Sequence, residues 1–360
     1  MTVLILAPDW EPHYQYIQPI LLKRKVDFVR LSGESYPEYC AASFELSDSS
    51  SNTYFLQDGK KFYSSDILSV WNPYLTSSKP IDVNDPYHKK SLEKESDYLL
   101  DALYRTMDTA VWVNHIEADK RANKLCQLTQ AKEVGFIVPD TYIGNDVEQA
   151  KNFISKHSDL CIKNLALPHT MRSKNHFEKF VSHYRWVRDS FKKQNKVPLF
   201  WSLEEYLNAN KIKVPTKRVD QKTLLENIDL LSYSPAIIQA YIPKLYELRV
   251  TVVGNKIFPC AIYSQEHAST QEDWRVSQDE ISFKHISLPT EIEEKCFHLM
   301  KKLNLEFGAI DMIVTPEKEY YFLEVNTTHV GWGYIDHRAS LNIGEALVDL
   351  LACPDGNKLN

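Results

Sequence analysis

The stretch FGAIDMIVTPEKEYYFLEVN, residues 307–326, decides the fold prediction for this chain. It is typical of two β-strands joined by a tight turn, which we place at residues 316–319. A loop of four residues sets the strand pairs as Thr315–Tyr320, Ile313–Phe322 and Asp311–Glu324. The Cβ atoms of two such partners lie about 5 Å apart, so the hairpin is predicted to bring two carboxylates together.

Asp311, Glu324 and Asn326 are predicted to form a metal site on this hairpin. Strand alternation places Asn326 on the same face as Glu324. Two like charges directly opposite each other destabilise a sheet, whereas a cation bound between them is favourable. Two carboxylates and an amide oxygen suit Mg²⁺ that carries substrate phosphates. The alternative is a register shifted by one residue, which would leave the carboxylates on a solvated face.

Four basic side chains are candidates for binding phosphates or a substrate carboxylate. Glu247 and Arg249 share one face of the predicted strand YELRVTVV, and Arg249 can hold a phosphate through two nitrogens. Lys163 ends the apolar strand LCIK, and Lys124 lies early in a helix. Arg275, in QEDWR, is a candidate for holding a substrate carboxylate. Taken singly, each is more often a solvated surface residue.

The run IIQAYIP, residues 237–243, resembles a strand that leaves a sheet and enters a linker. The backbone amide and carbonyl groups of such a strand end can pair with the edge of an adenine ring. The alternative is an ordinary connector, and the residues of this run are compatible with both.

Length and composition narrow the function classes. The chain has 360 residues, which suits two or three domains, and a net charge of −6, which argues against non-specific nucleic-acid binding. It contains no GxxxxGK[ST] and no GxGxxG motif, so bound phosphates must be held by Lys, Arg and a metal. No signal peptide and no apolar run of membrane-spanning length is predicted, and we expect a cytoplasmic protein with no membrane partner.

Three further segments carry structural expectations. One helix is predicted to begin at Asp119 and to end near Val134, with a buried stripe of Ala122, Leu125, Leu128 and Ala131. Residues 165–234 are polar and rich in Lys and aromatic residues, and we expect mobile or partner-binding elements there. Residues 353–360 are predicted to form a frayed tail.

The order of these segments resembles the ATP-grasp superfamily: Lys124, Lys163, IIQAYIP, ELR at 247–249, AIDM at 309–312 and LEVN at 323–326. The C-terminal text is similar to the microviridin-type peptide ligases, or graspetide synthetases. The resemblance covers residues 114–351 and implies a three-domain α/β (α+β) ATP-grasp fold with ATP between the central and C-terminal domains. The implied domains are residues 1–115, 116–236 and 237–352, followed by the tail.

The resemblance also implies a reaction and a role for each residue. The γ-phosphate of ATP would pass to a carboxylate, and a hydroxyl or amine would displace it to give an ester or amide. The resemblance implies a ribosomal precursor peptide with a leader and a core as the partner, and it also implies a homodimer. The implied roles are phosphate binding by Lys124 and Lys163, adenine binding by Gln239, Tyr241 and Ile242, nucleotide binding by Glu247 and Arg249, Mg²⁺ binding by Asp311, Glu324 and Asn326, and catalysis by Arg249 and Arg275.

The sequence departs from those relatives at four places, one of which is the segment 165–234, which is longer here. VWNPYLTSS at 70–78 stands where they have Trp followed by paired arginines, and TTHVGWGYIDHR at 327–338 replaces their usual continuation. The lid segment at 164–175 has no glycine. Because these changes fall where substrate would bind, two alternatives stay open: a ligase that joins an amino acid to a peptide or small carboxylate, and a catalytically silent peptide-binding module.

Overall fold

The computed structural model describes residues 1–48, 51–79, 85–163, 165, 217–271, 273–328 and 331–359. The expectation of mobile or partner-binding elements therefore falls largely on residues outside the described ranges, as does the lid segment apart from residue 165. Among the described helices, none combines the length and the apolar composition needed to span a bilayer.

The secondary structure alternates between short strands and helices. The strands are β1 (Thr2–Leu6), β2 (Phe28–Leu31), β3 (Cys40–Leu46), β4 (Ser51–Gln57), β5 (Lys60–Tyr63), β6 (Ile67–Trp71), β7 (Val111–Val113), β8 (Thr141–Gly144), β9 (Asp159–Lys163), β10 (Lys217–Asp220), β11 (Ala236–Ala240), β12 (Tyr246–Val253), β13 (Lys256–Ile262), β14 (Phe283–His285), β15 (Phe307–Val314) and β16 (Tyr320–Asn326). The α-helices are α1 (Pro12–Lys23), α2 (Pro86–Arg105), α3 (Ile116–Arg121), α4 (Lys124–Glu133), α5 (Val147–Ile154), α6 (Gln221–Asn227), α7 (Thr290–Leu303), α8 (Trp332–Ala339), α9 (Ile343–Ala352) and α10 (Pro354–Asn357).

The N-terminal part is built on a parallel sheet of strand order β2-β1-β6-β7. All five residues of β1 are buried, as expected for a strand covered on both faces. Strands β3, β4 and β5 form a separate antiparallel meander, in which the turn between β4 and β5 contains Gly59 at a φ of +74°. The chain thus begins with a β-α-β unit, in which β1 and β2 are parallel and α1 connects them.

The middle of the chain forms an antiparallel sheet of order β10-β9-β11-β8. Its core is apolar and is covered by α5 and α6, which bury Ile154 and Leu224 against the sheet. The opposite strand face carries Lys163 on β9 and Gln239 on β11. This sheet therefore presents two polar side chains that the sequence singled out.

The C-terminal sheet has the order β14-β13-β12-β15-β16 and is antiparallel throughout. One face packs on α7, whose buried stripe is Ile292, Cys296, Leu299, Met300 and Leu303. Burial of each large apolar side chain there contributes about 1.5–3 kcal/mol relative to exposure. The other face carries Arg249 on β12, which lies directly opposite Asp311 on β15.

The hairpin of β15 and β16 confirms the predicted pair of Asp311 and Glu324, but by a different route from the one expected. The loop has five residues, 315–319, and the pairs next to it are Val314–Tyr320, Ile313–Tyr321 and Met312–Phe322, so the predicted Thr315–Tyr320 and Ile313–Phe322 pairs are wrong. The register then shifts between Asp311 and Met312, which leaves Leu323 as an extra residue on β16. This β-bulge restores the carboxylate pair, and bulges of this kind re-aim side chains near functional sites.

The single helix predicted from Asp119 to Val134 is wrong, because the chain forms α3 and α4 with a break at residues 122–123. The side chain of Asn123 accepts a hydrogen bond from the amide of Cys126 and so begins a new helix. In the predicted stripe Ala122 and Ala131 are buried, but Leu125 is half exposed. The new start of α4 turns that side chain outward.

Over residues 353–359 the C-terminal tail is packed rather than frayed, which corrects the prediction for this segment. It contains α10, and the carbonyl of Asn357 accepts a hydrogen bond from the amide of Asn255 at 2.9 Å. The amide of Leu359 donates to the Glu306 carboxylate at 2.8 Å. Their partners are Asn255, in the turn between β12 and β13, and Glu306, just before β15. Because these partners are distant in sequence, the composition of the tail does not predict its packing.

Candidate active site

One cavity of about 400 Å³ lies between the middle sheet and the C-terminal sheet and is lined by residues of both. All of the side chains that the sequence singled out line it: Lys124, Lys163, Gln239, Tyr241, Ile242, Glu247, Arg249, Arg275, Asp311, Glu324 and Asn326. The fold thus brings together residues that are up to 202 positions apart, from 124 to 326. Their individual roles stay predictions.

Asp311 is the centre of the polar network on the C-terminal sheet. Its Oδ1 lies 2.5 Å from Arg249 Nε, and its Oδ2 accepts from an Arg249 terminal nitrogen at 3.2 Å and from Asn326 Nδ2 at 2.9 Å. Burial raises the pKa of Asp311 to about 6; the Arg249 charge opposes this rise and Glu324 adds to it. A further positive charge nearby would therefore stabilise the ionised form of Asp311.

Glu324 faces Asp311 across the hairpin and reaches a cation from another element. Its Oε2 lies 3.7 Å from Lys124 Nζ, and both side chains are about one-third exposed to the cavity. Burial lowers the pKa of Lys124, while Glu324 acts in the opposite direction. Because Lys124 is the first residue of α4, the break between the two short helices sets where this ammonium group lies.

The donor set of the hairpin fits Mg²⁺ better than a transition metal. Asp311 and Glu324 supply two carboxylates and Asn326 supplies an amide. Each of these groups offers an oxygen ligand, which a hard cation such as Mg²⁺ prefers. The described ranges hold no cluster of three or more His, Cys, Asp or Glu placed for a metal ion. A cation here would complete its coordination with phosphate oxygens and water, which is the usual arrangement for Mg²⁺.

The middle sheet contributes a second cation that is held in a fixed orientation. Lys163 Nζ donates to Gln239 Oε1 at 2.8 Å, and Gln239 Nε2 donates to Thr141 Oγ1 at 2.8 Å. Gln239 is buried, so the chain of bonds is rigid. Nearby, the Arg218 guanidinium stacks 4.3 Å from the Tyr241 ring centroid, which makes a flat polarisable surface at the cavity wall.

Lys244 and Asp273 orient two of the predicted residues, Glu247 and Arg275, although neither is itself among the predicted site residues. Lys244 Nζ lies 2.6 Å from Glu247 Oε1, and both side chains are largely buried. Asp273 is 8% exposed and accepts two hydrogen bonds of 2.7 Å from the Arg275 side chain. Each could have been found from its spacing: Lys244 lies three residues before Glu247, and Asp273 lies two residues before Arg275.

Asp273 directs Arg275 toward the carboxylate side of the cavity. Burial opposes ionisation of Asp273, but the hydrogen bonds from Arg275 outweigh it and lower the pKa of the carboxyl group. The backbone amide of Arg275 also donates to Asp273, at 3.0 Å. An arginine held by such a pair has less conformational freedom to lose when it binds an anion.

Comparison with known proteins finds similarity at the level of structure. No family model and no curated protein matches the sequence. A RiPP-associated ATP-grasp ligase from Chryseobacterium gregarium, solved with ADP and a leader and core peptide, is 24% identical with a TM-score of 0.79, covering 100% of this chain and 98% of that one. The macrocyclase MdnB from Microcystis aeruginosa is 24% identical with a TM-score of 0.69, covering 98% and 99%.

A more distant solved structure shares the same architecture. D-alanyl-alanine synthetase A from Vibrio cholerae is 11% identical with a TM-score of 0.54, covering 98% of this chain and 97% of that one. In each of these three comparisons the similarity covers at least 98% of this chain. This chain has the three-domain ATP-grasp fold.

Proposed function

We propose that this chain is an ATP- and Mg²⁺-dependent ligase that crosslinks side chains of a ribosomally made precursor peptide. The γ-phosphate of ATP passes to an Asp or Glu side chain of the peptide, which gives an acyl-phosphate and ADP. A Thr or Ser hydroxyl or a Lys amine of the peptide then attacks the acyl carbon, and phosphate leaves. The product is an ester or amide ring, and the peptide loses one water per ring.

The observation that carries this proposal is the carboxylate pair on the cavity wall. Asp311 and Glu324 are opposed on adjacent strands, where like charges repel each other. The pKa of Asp311 is raised to about 6 even with Arg249 beside it, so a further cation between the two carboxylates would be favourable. When bound, Mg²⁺ would neutralise charge on the transferring phosphates. Asp311, Glu324 and Asn326 would hold it, and the intact set argues against a catalytically silent module.

The cations around the cavity fit phosphoryl transfer, which depends on positioning and charge neutralisation more than on a protein nucleophile. Lys124 reaches in from α4 and Lys163 from β9, so two ammonium groups approach a phosphate chain from different elements. Arg249 is buried beside Asp311 and suits the transferred phosphate. Arg275, oriented by Asp273, suits the substrate carboxylate.

The similar solved structures support a peptide substrate. The Chryseobacterium gregarium ligase is described with a leader and core peptide, and MdnB is described as a macrocyclase. On that basis we propose that this chain also binds a precursor peptide with a leader and a core. The domain boundaries, a homodimer and a cytoplasmic location stay predictions.

The test is ADP formation with defined acceptors. The purified chain, ATP and Mg²⁺ are incubated with a peptide encoded by a short reading frame next to its gene, rich in Thr, Ser, Asp and Glu, or with free amino acids. We expect ADP release to rise with the peptide alone. ADP release that requires an added free amino acid would instead identify the amino-acid ligase, and no ADP under any condition would contradict ligase activity.

A further inference from the structure

Gln127 is a buried amide on α4 that binds the backbone of the strand carrying Glu324 and Asn326. The residue is 5% exposed. Its Nε2 donates to the carbonyl of Val325 at 2.8 Å, and its Oε1 accepts from the amide of Val325 at 2.8 Å. The same Nε2 donates to the carbonyl of Ala122 at 2.6 Å. One side chain therefore joins the α3–α4 break to the middle of the Glu324–Asn326 segment.

The position of β16 explains why this contact matters. Among the strands of the described ranges, β16 lies at the edge of its sheet, so one side of its backbone has no described strand beside it. At Val325, Gln127 makes the two backbone hydrogen bonds that a neighbouring strand would make. At Phe322, the backbone amide donates to the carbonyl of Ile137 at 2.9 Å. The two contacts lie on either side of the bulged Leu323. A buried backbone group left unpaired there would destabilise this part of the strand.

We propose that Gln127 is a positioning residue that holds Glu324 and Asn326 in the geometry needed to bind Mg²⁺ with nucleotide. Val325 points its side chain into the core, so its two neighbours in sequence face the cavity. Fixing the Val325 peptide groups fixes both neighbours at once. Gln127 also lies one turn after Lys124, which contacts Glu324, so α4 holds this segment at two points.

The inference rests on the proposed function, because it assumes that the hairpin binds Mg²⁺. It makes no use of the peptide and can be tested without one. Groups that orient metal ligands typically change metal affinity about 10–100-fold when they are removed. Removal of the Gln127 amide should therefore weaken the Mg²⁺-dependent part of nucleotide binding and leave the Mg²⁺-independent part in place.

The test compares Gln127→Met, which keeps the length of the side chain, with Gln130→Met on the same helix. Gln130 is half-buried and makes a matched control. The dissociation constant of a fluorescent ADP analogue is measured with Mg²⁺ and with EDTA, and thermal unfolding is followed for each variant. We expect Gln127→Met to bind about 10-fold more weakly in Mg²⁺. In EDTA it should match the wild type within about 2-fold, and Gln130→Met should match it in both conditions.

Equal weakening of Gln127→Met in Mg²⁺ and in EDTA, or no weakening in either, would overturn the positioning role. Gln127→Asn keeps the amide but shortens its reach, and it serves if the Met variant does not fold. We expect it to show the same Mg²⁺-selective loss, and wild-type binding in Mg²⁺ would overturn the role. Wild-type protein that binds the nucleotide no better with Mg²⁺ would instead overturn the metal assignment on which the proposed function depends.

Discussion

Arg249 and Asp311 lie directly opposite each other on β12 and β15, and their side chains meet in two contacts of 2.5 and 3.2 Å. The guanidinium is almost completely buried, so it compensates the carboxylate from inside the sheet. Glu324 lies on the other side of Asp311, and its ion pair with Lys124 is longer, at 3.7 Å, and is made by a lysine that is 29% exposed. Asp311 is therefore held in place by Arg249, whereas Glu324 faces the cavity and can contact a ligand bound there.

Glu324→Gln is expected to abolish ATP turnover while leaving the fold intact. The substitution keeps the shape of the side chain and removes the charge that would face Mg²⁺, and the lost carboxylate leaves only Asp311 as an anionic ligand. ADP release and circular dichroism measure the two effects. Glu317→Gln, in the exposed loop of the same hairpin, is the control and should turn over ATP like the wild type. Wild-type turnover by Glu324→Gln with Mg²⁺ would remove this residue from the metal site.

Arg275→Ala is expected to spare nucleotide binding and to reduce product formation about 100-fold or more, the loss typical of one oriented charge at a transition state. Arg275 is held by Asp273 and, as placed above, serves the substrate carboxylate. Nucleotide affinity and product yield are measured on the same preparation. The exposed Arg121 gives the control Arg121→Ala. Loss of nucleotide binding in Arg275→Ala would place this arginine on the phosphates instead.

The sequence was sufficient to predict the strands and the polar residues of the C-terminal sheet, because their patterns are local. β12 begins and ends where the pattern YELRVTVV does. The pair of Asp311 and Glu324 was also predicted, although the assumed loop was one residue too short. The bulge at Leu323 that compensates for it depends on contacts from Ile137 and Gln127, which belong to distant parts of the chain.

Gln127 was missed although its signal was present. It lies four residues before Ala131 on the buried side of α4, and a polar residue at such a position requires hydrogen-bond partners. The partners themselves, on Val325, are 198 positions away and cannot be read from a local pattern. The prediction that Leu125 is buried fails for a related reason: a helix that begins at Asp119 places it on the inner face, whereas the new helix that Asn123 caps turns it outward.

Gly254→Ala is expected to destabilise the protein more than Gly59→Ala. Both glycines lie in two-residue hairpin turns at positive φ, of +54° and +74°, so both substitutions carry backbone strain of about 1–3 kcal/mol. A Cβ at Gly254 would also lie 1.8 Å from the carbonyl oxygen of Asn357, whereas one at Gly59 has no atom within 4 Å. The free energy of unfolding in urea measures the difference. Equal losses for the two variants would contradict the packed position of the tail.

Asp349→Asn is expected to lower stability near neutral pH by about 1 kcal/mol or less, since the carboxylate is about one-third exposed. Burial opposes ionisation of Asp349, but hydrogen bonds from Lys256 and Arg24 outweigh it and lower its pKa from 3.8. A lowered pKa in the folded state gives stability that is complete above the unfolded value and is lost as the pH falls through the folded value.

The free energies of unfolding of Asp349→Asn and wild type should therefore differ at about pH 7 and converge below about pH 4. Asp355→Asn is the control, because Asp355 is almost fully exposed and should give no difference at either pH. A difference for Asp349→Asn that persists undiminished at about pH 3 would show that the ion pairs with Lys256 and Arg24 are not its cause.

The most direct test of the central claim is the intact mass of a candidate precursor peptide after incubation with this protein, ATP and Mg²⁺. Formation of an internal ester or amide removes one water per ring, so the account predicts a peptide lighter by whole multiples of one water. The same incubation with Glu324→Gln should leave the mass unchanged. A peptide that gains mass, or one that stays unmodified while the wild-type protein converts ATP to ADP, would contradict crosslinking as the function.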